Sequence, residues 1–153
     1  MKVEQKLAEL GIELPPPPKP AASYVNCVRT GNLVYLSGTG ATDANGQTPT
    51  GKVGADVSTA EAAQQARTVG INILAILKEE LGDLDRVRRI VKLLGMVNCT
   101  PEFQDHPKVI NGCSELFADV FGQENGIGAR SAVGMSSLPG NIAVEIEAVF
   151  EIA

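Results

Sequence analysis

Residues 129–153, ARSAVGMSSLPGNIAVEIEAVFEIA, end the chain with the pattern that decides the class of fold. From position 142 to 152 every second residue is apolar, and the residues between them include Glu145, Glu147 and Glu151. Successive side chains of a β-strand point to opposite faces of a sheet. The pattern therefore predicts a strand with one buried face and one face that carries carboxylates.

The first part of the same stretch is predicted to form a hairpin with the last strand, across the turn SSLPGN at 136–141. In this hairpin Val133 and Met135 face the helix-covered core. Arg130, Ala132 and Gly134 then share the face with the glutamates. Two interpretations of the arginine stay open. It forms a cross-strand ion pair worth at most about 1 kcal/mol, or its planar fork grips a substrate carboxylate while a glutamate activates water.

Upstream of this stretch the sequence predicts two long helices. Ser58 followed by Glu61 is a capping box, and the helix that it opens is expected to end at Gly82. Asp105 is expected to cap the second helix, which ends before Gly122. The predicted buried stripes are Ala62, Ala66, Val69, Ile73, Ile76, Leu77 and Leu81 in the first helix, and Val109, Ile110, Cys113, Leu116, Phe117, Val120 and Phe121 in the second.

Three further β-rich runs complete the predicted order of elements. Residues 24–29 and 33–37 flank Thr-Gly-Asn and read as a hairpin, and residues 87–97 form a longer strand. The order is strand, strand, helix, strand, helix, strand, strand. That order predicts an α+β domain in which both helices cover one face of a mixed sheet.

The N-terminal part of the chain differs from this domain in character. A short helix with one apolar stripe is predicted before Gly11, and the proline-rich run 15–20 then favours an extended polyproline II spacer. We expect an N-terminal extension over residues 1–22 and an α+β domain over 23–153. The stripe of the short helix consists of Val3, Leu7 and Leu10.

Composition argues against several classes of partner. A formal net charge of −5 makes nucleic acid and anionic membranes unlikely partners. Cys27, Cys99 and Cys113 form no CxxC pair, so free thiols in a reducing compartment are expected. Without a signal-peptide pattern or a long apolar run, we predict a cytoplasmic protein. No spacing suggests a metal site, and His106 is expected to lie in a first helical turn without a partner.

Three segments carry a resemblance to a known family. ARSAVGMSSLPGNIAVEIEAV at 129–149 resembles the C-terminal signature of the RidA (YjgF-type) family, which is also called the endoribonuclease L-PSP family. SYVNCVRTGNLVYLSG at 23–38 resembles the opening hairpin of that family, and VINGCSELF at 109–117 resembles its second helix. The similarity runs from about Tyr24 to the end of the chain.

This resemblance implies a chorismate-mutase-like fold and a homotrimer with clefts between subunits. It also implies hydrolysis of reactive enamines and imines, such as 2-aminoacrylate, to a 2-keto acid and ammonia, without a metal or an organic cofactor. Arg130 matches the arginine that holds the carboxylate of a small substrate, and Glu145 matches the glutamate that positions the attacking water. The matching cleft-lining positions are Tyr24, Ser37, Gly38 and Asn111.

Several observations leave other functions open. Ala132 stands where many members of the family have a cysteine, which points to a divergent subgroup. Taken by themselves, Tyr24 and Ser37 fit ordinary strand and turn positions, and Asn111 fits a solvated helix face. The alternatives are a non-catalytic trimer that binds or senses a metabolite, and a ribonuclease or translation inhibitor. The acidic charge and the small number of aromatic residues, six in all, argue against RNA binding.

Overall fold

A computed structural model of the chain describes residues 2–153 and contains one five-stranded sheet. The strands are β1 (Cys27–Thr30), β2 (Leu33–Gly40), β3 (Val87–Asn98), β4 (Ala129–Met135) and β5 (Val144–Ile152). Their spatial order is β1-β2-β5-β3-β4. The β3–β4 pair is parallel and the other three pairs are antiparallel, so the sheet is mixed as predicted.

Helix boundaries follow the predicted capping signals with one exception. The helices are α1 (Lys2–Glu9), α2 (Thr59–Leu81), α3 (His106–Phe121) and the single turn α4 (Gln123–Gly126). The backbone N–H of Glu61 donates to the Ser58 hydroxyl at 3.1 Å, and α2 ends at Gly82, which has a φ of 77°. Asp105 precedes α3, but its side chain makes no capping hydrogen bond. There the backbone carbonyl of Asp105 accepts from Lys108 N at 3.0 Å instead.

The core lies between the sheet and the pair α2 and α3. Every residue of the predicted α2 stripe is buried. In the predicted α3 stripe all residues except the partly exposed Phe121 are buried. Two glycines allow close packing here. A Cβ at Gly95 in β3 would lie 2.5 Å from the Ile110 side chain, and one at Gly112 would lie 2.0 Å from the Ala63 carbonyl oxygen. The α+β prediction with both helices on one face is therefore confirmed.

The predicted C-terminal hairpin is wrong. β5 lies between β2 and β3, whereas β4 pairs with the far side of β3 at the edge of the sheet. β3, α3 and β4 form a parallel strand–helix–strand unit, and such units place the second strand beside the first by a crossover of fixed hand. Residues 136–143 then carry the chain past β3 to β5. The alternation of apolar and polar residues along a strand does not depend on which strands lie beside it, so that pattern does not reveal the strand order.

The predicted faces of β4 are also reversed. Arg130 is paired with Leu93, and Gly134 is paired with Val97; both partners are buried on the helix side of β3. Val133 therefore lies on the uncovered face and is 37 % exposed. Space under α3 explains the reversal, because a Cβ at Gly134 would lie 2.8 Å from the Cys99 sulfur. Only a small residue therefore fits at position 134.

The N-terminal helix packs against the main body rather than projecting from it. Val3 and Leu7 are buried, and the Asp85 carboxylate accepts hydrogen bonds from the backbone N–H groups of Lys2 (2.8 Å) and Val3 (2.9 Å). These two bonds lower the pKa of Asp85. A carboxylate from the 3₁₀ turn Leu84–Arg86 thus caps the first turn of α1.

Two further properties bear on the compositional predictions. Cys27, Cys99 and Cys113 are free thiols, as expected. Across residues 2–153, none of the helices combines the length and the apolar character that crossing a bilayer requires. The cytoplasmic location stays a prediction.

Candidate functional site

Glu145 stands at the start of β5 on the uncovered face of the sheet, and its carboxylate is half-buried beside Gly38. A Cβ at position 38 would lie 2.0 Å from Glu145 Oε2 and 2.9 Å from Cδ. The pairing of β2 with β5 shifts register between Leu36 and Thr39, so Ser37 and Gly38 form an irregular segment. Glycine at 38 therefore leaves the space that the carboxylate occupies.

Ser37 joins this irregular segment to the chain that precedes β1. Its hydroxyl donates to the carbonyl of Val25 at 2.5 Å, and its backbone N–H donates to the carbonyl of Asn26 at 2.9 Å. Tyr24 immediately precedes Val25, and it is 46 % exposed. The structure therefore brings Ser37, Gly38 and Glu145 together, and Tyr24 is the chain neighbour of Val25, which Ser37 contacts. We call these four residues, Tyr24, Ser37, Gly38 and Glu145, the Glu145 group.

The environment of Glu145 disfavours its charged form. Burial raises the pKa of the Glu145 carboxyl, and the nearby negative charge of Glu147 raises it further. A carboxyl with a raised pKa is a stronger base when ionised and stays protonated to a higher pH. Glu145 is thus suited to exchange a proton with water or with an amine.

Arg130 lies at the start of β4 and reaches along α3. Its Nη1 donates to the Ser114 hydroxyl at 3.1 Å, and its Nη2 makes a long contact of 3.5 Å with the Pro107 carbonyl. The guanidinium borders a cavity of about 360 Å³ that Asn111 and Ser114 also line. We call Asn111, Ser114 and Arg130 the Arg130 group. The apolar residues around this cavity include Ile90, Leu93 and Ile127.

The two groups do not meet within one chain. Arg130 is aligned with Leu93 on the helix face of β3, and Glu145 is aligned with Met96 on the uncovered face. β3 therefore separates the two residues, and they emerge on opposite faces of the sheet. Among the described residues 2–153, the hydrogen bonds of the guanidinium go to α3 rather than to a glutamate. The prediction that Arg130 and a glutamate of β5 are cross-strand neighbours is thus wrong. They form neither an ion pair nor a shared site within one chain.

The structure also pairs a histidine that was expected to stand alone. The Cys99 sulfur lies 3.4 Å from His106 Nε2, and the Phe103 ring meets the imidazole edge-on with centroids 5.2 Å apart. Burial raises the pKa of the Cys99 thiol, so this thiol stays protonated. The two residues are seven positions apart on either side of the turn into α3, a separation without a recognisable motif. No cluster of three metal-ligating side chains occurs in residues 2–153.

Residues 16–152 match the family model described as Endoribonuclease L-PSP. The chain belongs to this family. Among L-PSP relatives, "Protein TCP17" of Trypanosoma cruzi is 40 % identical over 99 % of this chain and 94 % of its own length. The "2-iminobutanoate/2-iminopropanoate deaminase" of Dermatophagoides farinae is 30 % identical over 92 % of this chain and 94 % of its own length.

A solved structure extends this likeness to the N-terminal region. The protein Atu1372 of Agrobacterium tumefaciens, whose function is described as unknown, is 45 % identical and superposes with a TM-score of 0.90. The match covers 99 % of this chain and 94 % of that one. The L-PSP family resemblance inferred from the three sequence segments is thus confirmed, and the similarity also spans the residues before Tyr24.

Proposed function

We propose that the protein is a hydrolytic deaminase of reactive enamines and imines, which converts small 2-imino acids to 2-keto acids and ammonia. Membership of the L-PSP family supports this proposal, as does the similarity to a relative named 2-iminobutanoate/2-iminopropanoate deaminase. Arg130 would hold the substrate carboxylate. Glu145 would position and deprotonate water.

The observation that carries the proposal is the separation of two complementary half-sites. One half offers a guanidinium beside a cavity, and the other offers a half-buried carboxylate with a raised pKa. Arg130 and Glu145 lie on opposite faces of the sheet of one chain, so a second copy of the chain would bring them together in one site. We propose a homotrimer with inter-subunit clefts, in which the number three follows from the family resemblance.

The uncovered face of the sheet is consistent with such an assembly. Four large apolar side chains of the sheet strands are between 37 % and 55 % exposed, although they belong to a protein with an extensive core. Contact with another copy would remove this apolar surface from water. These side chains are Val28, Tyr35, Val91 and Val133.

The proposed chemistry requires little covalent machinery. An enamine first takes a proton from solvent on carbon and becomes the iminium. Glu145 as carboxylate accepts a proton from water while the water oxygen bonds to the iminium carbon, and the C=N π electrons return to nitrogen. The Glu145 carboxyl then gives its proton to the amine nitrogen of the carbinolamine. The C–N bond breaks as the C=O bond forms, ammonia leaves, and the hydroxyl proton returns to solvent. A positioned carboxylate base contributes typically 10²–10⁴-fold.

Arg130 supplies orientation rather than a proton. Of the five N–H donors of a guanidinium, two are directed at Ser114 and Pro107. Three donors remain, which suffices for a two-bond grip on a carboxylate. Holding the carboxylate places the adjacent imine carbon in a fixed direction from the cavity wall.

The test is an assay of 2-keto acid formation from enzymatically generated 2-aminoacrylate and 2-iminobutanoate, above the rate of spontaneous hydrolysis. We expect acceleration by the wild type and a loss of about 10²-fold or more in Glu145→Gln, which keeps the size but not the base. Binding of a 2-keto acid without turnover would favour the metabolite-binding alternative. Salt-sensitive RNA affinity with cleavage would favour the ribonuclease.

A further inference from the structure

We propose that Ser114 is the positioning residue of Arg130, and thereby a determinant of carboxylate affinity at this site. The inference rests on the proposed function of Arg130. Its basis is a side-chain contact between two elements that are far apart in sequence. Ser114 lies in the middle of α3, and its hydroxyl accepts a hydrogen bond of 3.1 Å from Arg130 Nη1.

An arginine at this position needs an anchor to present a fixed fork. β4 is an edge strand, and an unrestrained arginine side chain there would sample many rotamers. Fixing those rotamers at the moment of substrate binding would cost affinity. The bond from Ser114 holds one end of the guanidinium plane before substrate arrives, and the 3.5 Å contact with the Pro107 carbonyl is a weaker second support.

Ser114 also lies where a ligand of Arg130 would bind, because it lines the cavity beside the guanidinium. Asn111 and Ser114 are three residues apart, so they lie on the same face of α3, and both line the cavity beside Arg130. Cys113, the preceding residue, is buried in the core. Ser114 is partly exposed and lines the cavity. A serine in mid-helix commonly bonds to the carbonyl one turn earlier. Here its oxygen accepts from Arg130 instead.

The rival explanation is a purely structural tie between α3 and β4. Such a tie would stabilise the fold and leave substrate affinity untouched. A positioning role predicts a selective change in KM and in ligand affinity, because a group that orients the carboxylate acts on substrate and transition state alike. The two roles are therefore separable by kinetics on a folded variant.

The experiment compares Ser114→Ala and Ser114→Thr with a control, Ser131→Ala. Ser131 is the neighbour of Arg130 in the chain, but its hydroxyl accepts from Lys92 on the other face of β4. For each variant, kcat and KM for 2-iminobutanoate, the Kd for 2-oxobutanoate by calorimetry, the melting temperature and the oligomeric mass are measured. The 2-oxobutanoate titration tests the carboxylate grip independently of turnover.

We expect Ser114→Ala to raise KM and Kd about ten-fold with kcat changed less than about three-fold, as befits one lost hydrogen bond to a charged group. Ser114→Thr keeps the hydroxyl and should stay within about two-fold of wild type. Ser131→Ala should match wild type. Unchanged KM and Kd in Ser114→Ala, with or without a lower melting temperature, would overturn the inference while the deaminase proposal stands.

Failure of the deaminase proposal can be told apart from failure of the positioning role of Ser114. If the wild type binds 2-oxobutanoate but does not accelerate imine hydrolysis, the deaminase proposal falls, and a weaker Kd in Ser114→Ala still supports the positioning role. If the wild type neither turns over imines nor binds 2-oxobutanoate, both proposals are overturned.

Discussion

Gly38→Ala provides a direct test of where Glu145 acts. The backbone at Gly38 is not in the left-handed region, so alanine introduces no conformational strain. The new methyl group would nevertheless lie 2.0 Å from Glu145 Oε2 and 2.9 Å from Cδ. Because the far end of a glutamate is flexible, the carboxylate is expected to swing out of its place while the backbone stays.

The magnitude follows from the size of that displacement. Non-bonded heavy atoms settle roughly 3.5 Å apart, so Oε2 must move by about 1.5 Å. A misplacement of about 1 Å in a reacting group can cost 10²-fold in rate. We therefore expect kcat/KM to fall by about 10²-fold or more. The free energy of unfolding should change by less than about 1 kcal/mol, since Gly→Ala at a compatible position is mildly stabilising.

The assay is 2-iminobutanoate hydrolysis measured together with urea unfolding on the same preparation. Gly40→Ala is the matched control. A Cβ at Gly40 would lie 3.2 Å from Ile142 Cδ1 and 3.7 Å from Thr48 Cγ2, and no Glu145 atom comes within 4 Å of it. Full activity in a folded Gly38→Ala protein would show that Glu145 does not act from its place beside Gly38. The assignment of Glu145 as base would then be abandoned.

Arg130→Lys should lower kcat/KM by about ten- to a hundred-fold, because lysine cannot form the two-bond fork. The free energy of unfolding should change by less than about 1 kcal/mol. Arg88→Lys is the control, and a fully active Arg130→Lys protein would remove this arginine from the site. Because the charge of Glu147 raises the pKa of Glu145, Glu147→Gln should shift the acid limb of the kcat/KM profile to lower pH, and an unmoved limb would contradict that coupling. Activity should survive iodoacetamide, because burial raises the pKa of the Cys27 thiol to about 11 and the other two thiols are buried; complete inactivation with the assembly intact would show that a cysteine is needed. Sedimentation equilibrium should give a trimer at micromolar concentration, and a monomer would refute the shared cleft.

Local signals in the sequence were sufficient for the two long helices and for the strand β5. The Ser58 capping box and the terminal Gly82 delimit α2 correctly, because caps and helical periodicity depend on residues within a few turns. Alternation in β5 is equally local, and its apolar positions are buried as predicted. Arg130 and Glu145 were named from the family resemblance. The structure places Arg130 beside Ser114 and Glu145 beside Gly38, and their roles stay a prediction.

Sequence reasoning failed where the outcome depended on contacts between distant segments. Alternation in β4 shows that two faces differ, but it does not say which one α3 will cover. The sequence analysis placed Val133 inward, whereas a Cβ at Gly134 would lie 2.6 Å from His106 Nε2, so the residue at 134 on the helix side must be small. The contact of Arg130 with Ser114 joins residues 16 positions apart on different elements, and no local pattern encodes it.

The sequence by itself determined the class of fold, the two long helices and the alternating strand β5, because periodicity and caps are short-range properties. Tertiary structure alone decided that β3 lies between β4 and β5, and therefore that Arg130 and Glu145 emerge on opposite faces. Strand order depends on the crossover through α3 and on backbone pairing across tens of residues. Register then decides the face of every side chain, since one step along a strand reverses it.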